Sequence, residues 1–161
     1  MIRLREDKTS KVKPENPGMK VMWDILRGRC KQADVDIADV FDAPATGHYL
    51  CEMSGGHPRH LMMFIQAAAI EVDELPISRQ AADKAVRNYA NSLLRELPDP
   101  FWPKLRKLDK PQNDIPKDED HQQMLFLLHI FEYMDDGPWY EVNPVLRTLP
   151  KFNASRRQTR K

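Results

Sequence analysis

The sequence predicts a mainly α-helical protein that closes on a helix, a β-hairpin and a further short helix. Apolar residues recur at three- and four-residue spacing over most of the chain, most regularly at Ala82, Val86, Tyr89 and Leu93. Alternation is confined to Trp139-Tyr140-Glu141-Val142, behind Asp135-Asp136-Gly137, a turn-forming run. With 6 glycines and 13 prolines in 161 residues, the chain lacks the punctuation that a sandwich or barrel needs at its many tight turns.

Taken in order, Ile2 to Leu4 is expected as a short strand, followed by a charged, turn-like stretch to Pro17-Gly18. A helix from about Met19 to Lys31 places Met19, Met22, Ile25 and Leu26 on one face. A short element follows with Ile37, Val40 and Phe41 together. Asp42 is expected to cap the next helix, with Pro44 in its first turn. That helix carries Tyr49, Leu50 and Met53 inward and stops at Gly55-Gly56, because glycine takes the left-handed stop without a Cβ penalty. Pro58 starts another helix, running to about Val72, with Leu61, Ile65, Ala68, Ala69 and Val72 as its buried stripe. After Leu75-Pro76, Ser78 is a good cap for a helix ending near Leu97. Phe101 to Leu108 reads as a short helix with Trp102, Leu105 and Leu108 inward, and 110–120 as a loop. A helix from about Glu119 to His129 then meets the strand Ile130–Tyr133. The return strand carries the aromatics Trp139 and Tyr140, exposed in this reading and suited equally to a protein partner or to core packing, and Asn143-Pro144 caps a last short helix. Helix, hairpin, helix is the order of a winged-helix wing or of a truncated relative of one.

An apolar share of 41% supplies a core and a charged share of 30% a solvated surface, both of single-domain proportions. No apolar run reaches the roughly 20 residues that span a bilayer, so no membrane is expected. Met1 to Asp7 contains no apolar stretch of signal-peptide type, and Cys30 and Cys51 are too few for a disulfide framework. A cytoplasmic location is the expectation. The net charge of +1 offers no global field for nucleic acid. Between Val145 and Lys161, however, six basic residues and no acidic one occur, Arg156, Arg157, Arg160 and Lys161 among them. This run is either a solvated tail or an arm that tracks phosphates. Against DNA at the hairpin, Asp135, Asp136, Glu132 and Glu141 make an acidic surface.

Neither G-x-x-x-x-G-K-[ST] nor G-x-G-x-x-G occurs, and no nucleophile elbow or local cysteine-protease pattern is present. His48, Cys51, His57 and His60 are all zinc-ligand types, but their spacing does not match paired-ligand sites, and His60 is expected to point away from His57 around the new helix. No metal is expected there. The break Ser54-Gly55-Gly56-His57-Pro58-Arg59 has an architectural reading, a helix stop and a helix start. It also has a chemical one. Arg59 stands where backbone N–H groups and the helix dipole already favour an anion, and a guanidinium meets a phosphate with two parallel hydrogen bonds.

Ser54-Gly55-Gly56-His57-Pro58-Arg59-His60-Leu61 resembles the sensor-2 segment of AAA+ ATPases, in which a glycine-rich break precedes an arginine that opens a lid helix. Ile2-Arg3-Leu4-Arg5-Glu6-Asp7 resembles the last strand of the nucleotide-binding core, and Pro17-Gly18-Met19 through Arg27-Gly28-Arg29 the first lid helix. Leu127 to Tyr133 with Pro138 to Pro144 is similar to the winged-helix-like appendage after the lid. The resemblance implies a residual core strand and linker over 1–15, a helical lid-type bundle over 16–97, an appendage over 98–149 and a basic flexible tail over 150–161. It implies that Arg59 contacts the terminal phosphates of ATP, with Gly55, Gly56 and Pro58 as the hinge presenting it. ATP with Mg would be held only by a P-loop core, supplied in cis or in trans, and this chain alone would not hydrolyse it. The resemblance implies coupling to a C-terminal output without saying what that output is, and the C-terminal hairpin is a candidate surface for a protein partner. The alternative is a winged-helix-like DNA- or protein-binding module without nucleotide function.

Overall fold

The computed structural model describes residues 1–6, 10–108, 114–134 and 137–154, and is mainly helical with one two-stranded antiparallel hairpin after the helices. The turn residues Asp135 and Asp136, and the basic residues Arg156, Arg157, Arg160 and Lys161, lie outside the described residues. The chain forms two compact units, Met1–Asn88 and Tyr89–Lys161, divided within one helix.

In the first unit α1 (Pro17–Gln32) buries Met19, Met22, Leu26 and Cys30, the three- and four-residue rhythm read from the sequence. It ends in a left-handed residue, Asp34 (φ 55), with Val35 N–H donating back to Cys30 O at 3.0 Å. This six-residue closure satisfies a carbonyl that the helix end leaves open. α2 (Ile37–Val40) is capped by Asp36, whose carboxylate accepts from Ala38 N–H at 2.9 Å. α3 (Pro44–Met53) packs on α1 and on α4 (Pro58–Ala69).

Three expectations are corrected in this unit. Ile2–Leu4 is not a strand: among the described residues no strand runs beside it, and Ile2 N–H donates to a helix junction instead. Asp42 does not cap α3. Its Oδ1 accepts from the Thr46 hydroxyl at 2.6 Å, while Oδ2 accepts from Arg79 N–H at 2.9 Å, satisfying the first turn of α5 (Arg79–Glu96). Ser78, as expected, caps α5, accepting from Ala81 N–H at 3.1 Å. The buried face of α4 is Leu61, Phe64 and Ala68, whereas Ile65, Ala69 and Val72 are only partly covered.

The second unit contains α6 (Phe101–Lys107), α7 (Glu119–Phe126), β1 (Ile130–Met134), β2 (Pro138–Val142), a 3-10 turn (Pro144–Thr148) and α8 (Pro150–Asn153). α7 stops three residues earlier than expected. Leu128 turns left-handed (φ 57), His129 N–H donates to Met124 O at 2.8 Å, and the chain is redirected into β1. Asn143 fastens the same corner: its side chain donates to Leu128 O at 3.0 Å and accepts from Val145 N–H at 3.0 Å, capping the 3-10 turn as expected.

In the hairpin Ile130 faces Val142 and Tyr133 faces Trp139. Trp139 is buried, so of its two expected uses core packing is the one observed and exposure is corrected. It packs with Phe131 and Tyr133 in an edge-on aromatic cluster against which Leu128 lies. Glu141 is likewise buried, with Arg147 donating to it at 2.8 Å, while Glu132 stays exposed and accepts from the Tyr140 hydroxyl. Nor does a tail begin at residue 150: Phe152 is buried, Asn153 donates to Arg147 O and Leu149 O, and Lys151 pairs with Asp99.

Two predictions follow from these corners. Asp34→Gly removes the steric cost of a left-handed residue on an exposed corner and raises stability by about 1 kcal/mol in urea unfolding. His129 is fully buried, neither ring nitrogen has a hydrogen-bond partner among the described residues, and burial pushes its pKa down to about 4. Its folded pKa lies below the unfolded 6.5, so its contribution is full above that value and declines as pH falls toward 4. His129→Leu, which leaves no unsatisfied polar atom, raises stability at pH 7 by about 1 kcal/mol and flattens this decline. An unchanged pH profile contradicts the assignment.

Candidate functional site

The break between α3 and α4 is built from backbone hydrogen bonds together with the Ser54 hydroxyl and the His57 ring. Ser54 closes α3 with its N–H on Leu50 O at 3.0 Å, and its hydroxyl donates to Cys51 O at 2.7 Å while accepting from Gly56 N–H at 3.3 Å. Gly55 and Gly56 both stand in the left-handed region, at φ 60 and φ 74. A side chain is strained there, and at Gly56 it has no space either: a Cβ would overlap the Ile2 carbonyl. Ile2 N–H donates to Gly56 O at 2.9 Å. The glycine pair therefore does two things, reversing the chain and admitting a second backbone.

His57 is the N-cap of α4. Its Nδ1 accepts from His60 N–H at 3.4 Å, Pro58 takes the first helical position, and Leu61 N–H reaches His57 O at 3.1 Å. The two imidazoles stack with centroids 4.4 Å apart, so His60 folds back over His57 instead of pointing away as the helical rotation suggested. Burial lowers both pKa values, to about 4 for His60, and the positive charge of Arg59 adds to the effect. Both rings are neutral at pH 7, which is the state in which His57 Nδ1 can accept.

Arg59 follows Pro58 in the first turn, is exposed, and makes no hydrogen bond or ion pair among the described residues. Its cation lies beside the positive end of the helix dipole, an arrangement that an anion would relieve. Among the described residues no three His, Cys, Asp or Glu side chains are placed to hold a metal ion. His48 instead packs on Trp23 at 4.3 Å, and Cys51 is fully buried, its thiol pushed up to about 12. The structure thus brings Gly55, Gly56, His57, Pro58, Arg59 and His60 into one turn.

The sequence reading missed Ile2 as part of this junction. The available signal was two consecutive glycines where one suffices to stop a helix. Among the described residues no helix is long and apolar enough to cross a membrane. No family model, curated protein or solved structure matches the chain.

The stacked pair makes its own prediction. In an NMR pH titration the His60 ring protons shift with a midpoint near 4, and the stability this ring contributes is full above 6.5 and lost as pH falls toward 4. A midpoint near 6.5 contradicts the buried, neutral pair.

Proposed function

We propose that this chain is the lid-and-sensor part of an AAA+ type ATP-binding protein, coupling the nucleotide state of a P-loop core, joined in cis or supplied in trans, to a C-terminal output. The observation that carries the reading is Arg59: an exposed guanidinium with no ion pair among the described residues, at the start of a 12-residue helix, behind a left-handed glycine pair. The arginine would meet the terminal phosphates of ATP held with Mg by the core, and Gly55, Gly56 and Pro58 would form the hinge that presents it. In this reading Arg59 senses nucleotide, while phosphate positioning and metal charge come from the core.

The output module is winged-helix-like in this proposal. Its surface favours a protein partner over DNA, because Phe126 and Met134 are exposed at 86% and 74% and Glu132 is exposed on β1. The residues Arg156, Arg157, Arg160 and Lys161 remain the candidates for any phosphate-tracking contact.

The isolated chain is expected to show no ATP turnover, and metal-dependent hydrolysis by the pure chain contradicts the proposal. In the assembled ATPase, Arg59→Ala lowers turnover by about tenfold to a hundredfold, the loss of a charged hydrogen bond worth about 1.5–3 kcal/mol, with nucleotide affinity less affected. Unchanged turnover returns Arg59 to the solvated surface.

A further inference from the structure

The segment Met1–Leu4 belongs to no helix or strand, yet its backbone is seated at two places within the first unit. At one, Ile2 N–H donates to Gly56 O at 2.9 Å and the Ile2 carbonyl fills the space where a Gly56 side chain would stand. At the other, the Arg3 carbonyl fills the corresponding space beside Gly18, in the first turn of α1. Leu4 is buried directly after. Both seats are positions where only a hydrogen fits, and no side chain can be introduced at either without moving the segment.

Gly56 is also the last residue before the His57 cap. A glycine at φ 74 has wide freedom unless something holds it, and what holds its carbonyl is Ile2. Losing that contact leaves the Gly56–His57 peptide held at its N–H end alone, by His57 N–H on Ser54 O at 3.1 Å, and His57 in turn anchors Leu61 N–H and His60 N–H around Arg59. The path from Ile2 to the arginine therefore runs through one hydrogen bond and three residues of chain.

We propose that Met1–Leu4 is a positioning strap: seated on Gly18 and Gly56, it fixes the first turn of α4 and so the placement of Arg59. The consequence for function rests on the reading of Arg59 as a phosphate contact, whereas the strap itself does not. In that reading, movement of the strap is delivered to the sensor arginine without passing through the helical core, and Gly56 and Ile2 act as positioning residues.

Two variants test it. Gly56→Ala fills the seat, and Ile2→Pro removes the donor while leaving Gly56 intact, so the second stands if the first does not fold. By NMR hydrogen exchange on the chain, both are expected to speed exchange of the Leu61 amide about fivefold or more, with amides inside α5 unchanged. In Gly56→Ala the Ile2 amide also loses protection. Leu61 protection equal to wild type in both variants overturns the strap. In the assembled ATPase each strap variant lowers kcat with the Kd for ATP unchanged, and combining it with Arg59→Ala adds nothing further to the loss seen with Arg59→Ala alone. Losses that multiply overturn the positioning role. An Arg59→Ala variant with wild-type turnover removes the sensor reading instead, and the exchange result then still decides the strap.

Discussion

The backbone contact between Ile2 and Gly56 is the constraint on which the α3–α4 junction depends. It brings the chain start onto the only kind of residue that can receive a carbonyl at that distance, in a left-handed conformation that a side chain would resist. Once Gly56 is held, the rest of the turn has little choice. His57 must leave it in an extended conformation, Pro58 presets the first helical φ, and the next residue is delivered to solvent at the helix start. That residue is an arginine, where neither local hydrogen bonding nor the helix dipole asks for one.

Electrostatics around the turn sharpen this. Burial lowers the pKa of both His57 and His60, so neither ring adds a second positive charge beside Arg59, which makes no ion pair among the described residues. An exposed arginine alone is an ordinary surface feature. Arg59 differs from such a residue in its place, at the start of a 12-residue helix behind two left-handed glycines, where the helix dipole favours an anion. The C-terminal unit is secured by different means: the left-handed corner at Leu128, the double use of Asn143 and the aromatic cluster of Phe131, Tyr133 and Trp139.

What was legible in the sequence was whatever the backbone writes locally. The glycine pair, the prolines opening α3 and α4, the caps at Ser78 and Asn143 and the alternating hairpin were all readable from neighbours in the chain. What was not legible depends on residues far apart. Asp42 caps a helix 37 residues away instead of its own, which no local pattern records. The face of α4 turned out to be set by Phe64, because Ala67-Ala68-Ala69 has too little side chain to distinguish one face from another. Leu128 occupies a conformation usually assigned to glycine, and its packing on the aromatic cluster offsets the strain. Of the candidate site, Arg59 and its glycines could be named from spacing, but the strap could not, since nothing in Met1–Leu4 announces a backbone partner.

The contact at the centre of this account can be observed directly. A through-hydrogen-bond NMR coupling between the Ile2 amide nitrogen and the Gly56 carbonyl carbon reports that bond and no other. The account predicts a resolved coupling between those two nuclei in the folded protein. Its absence, with the Ile2 amide exchanging as freely as in an unfolded chain, would contradict the claim that the junction is held from the strap.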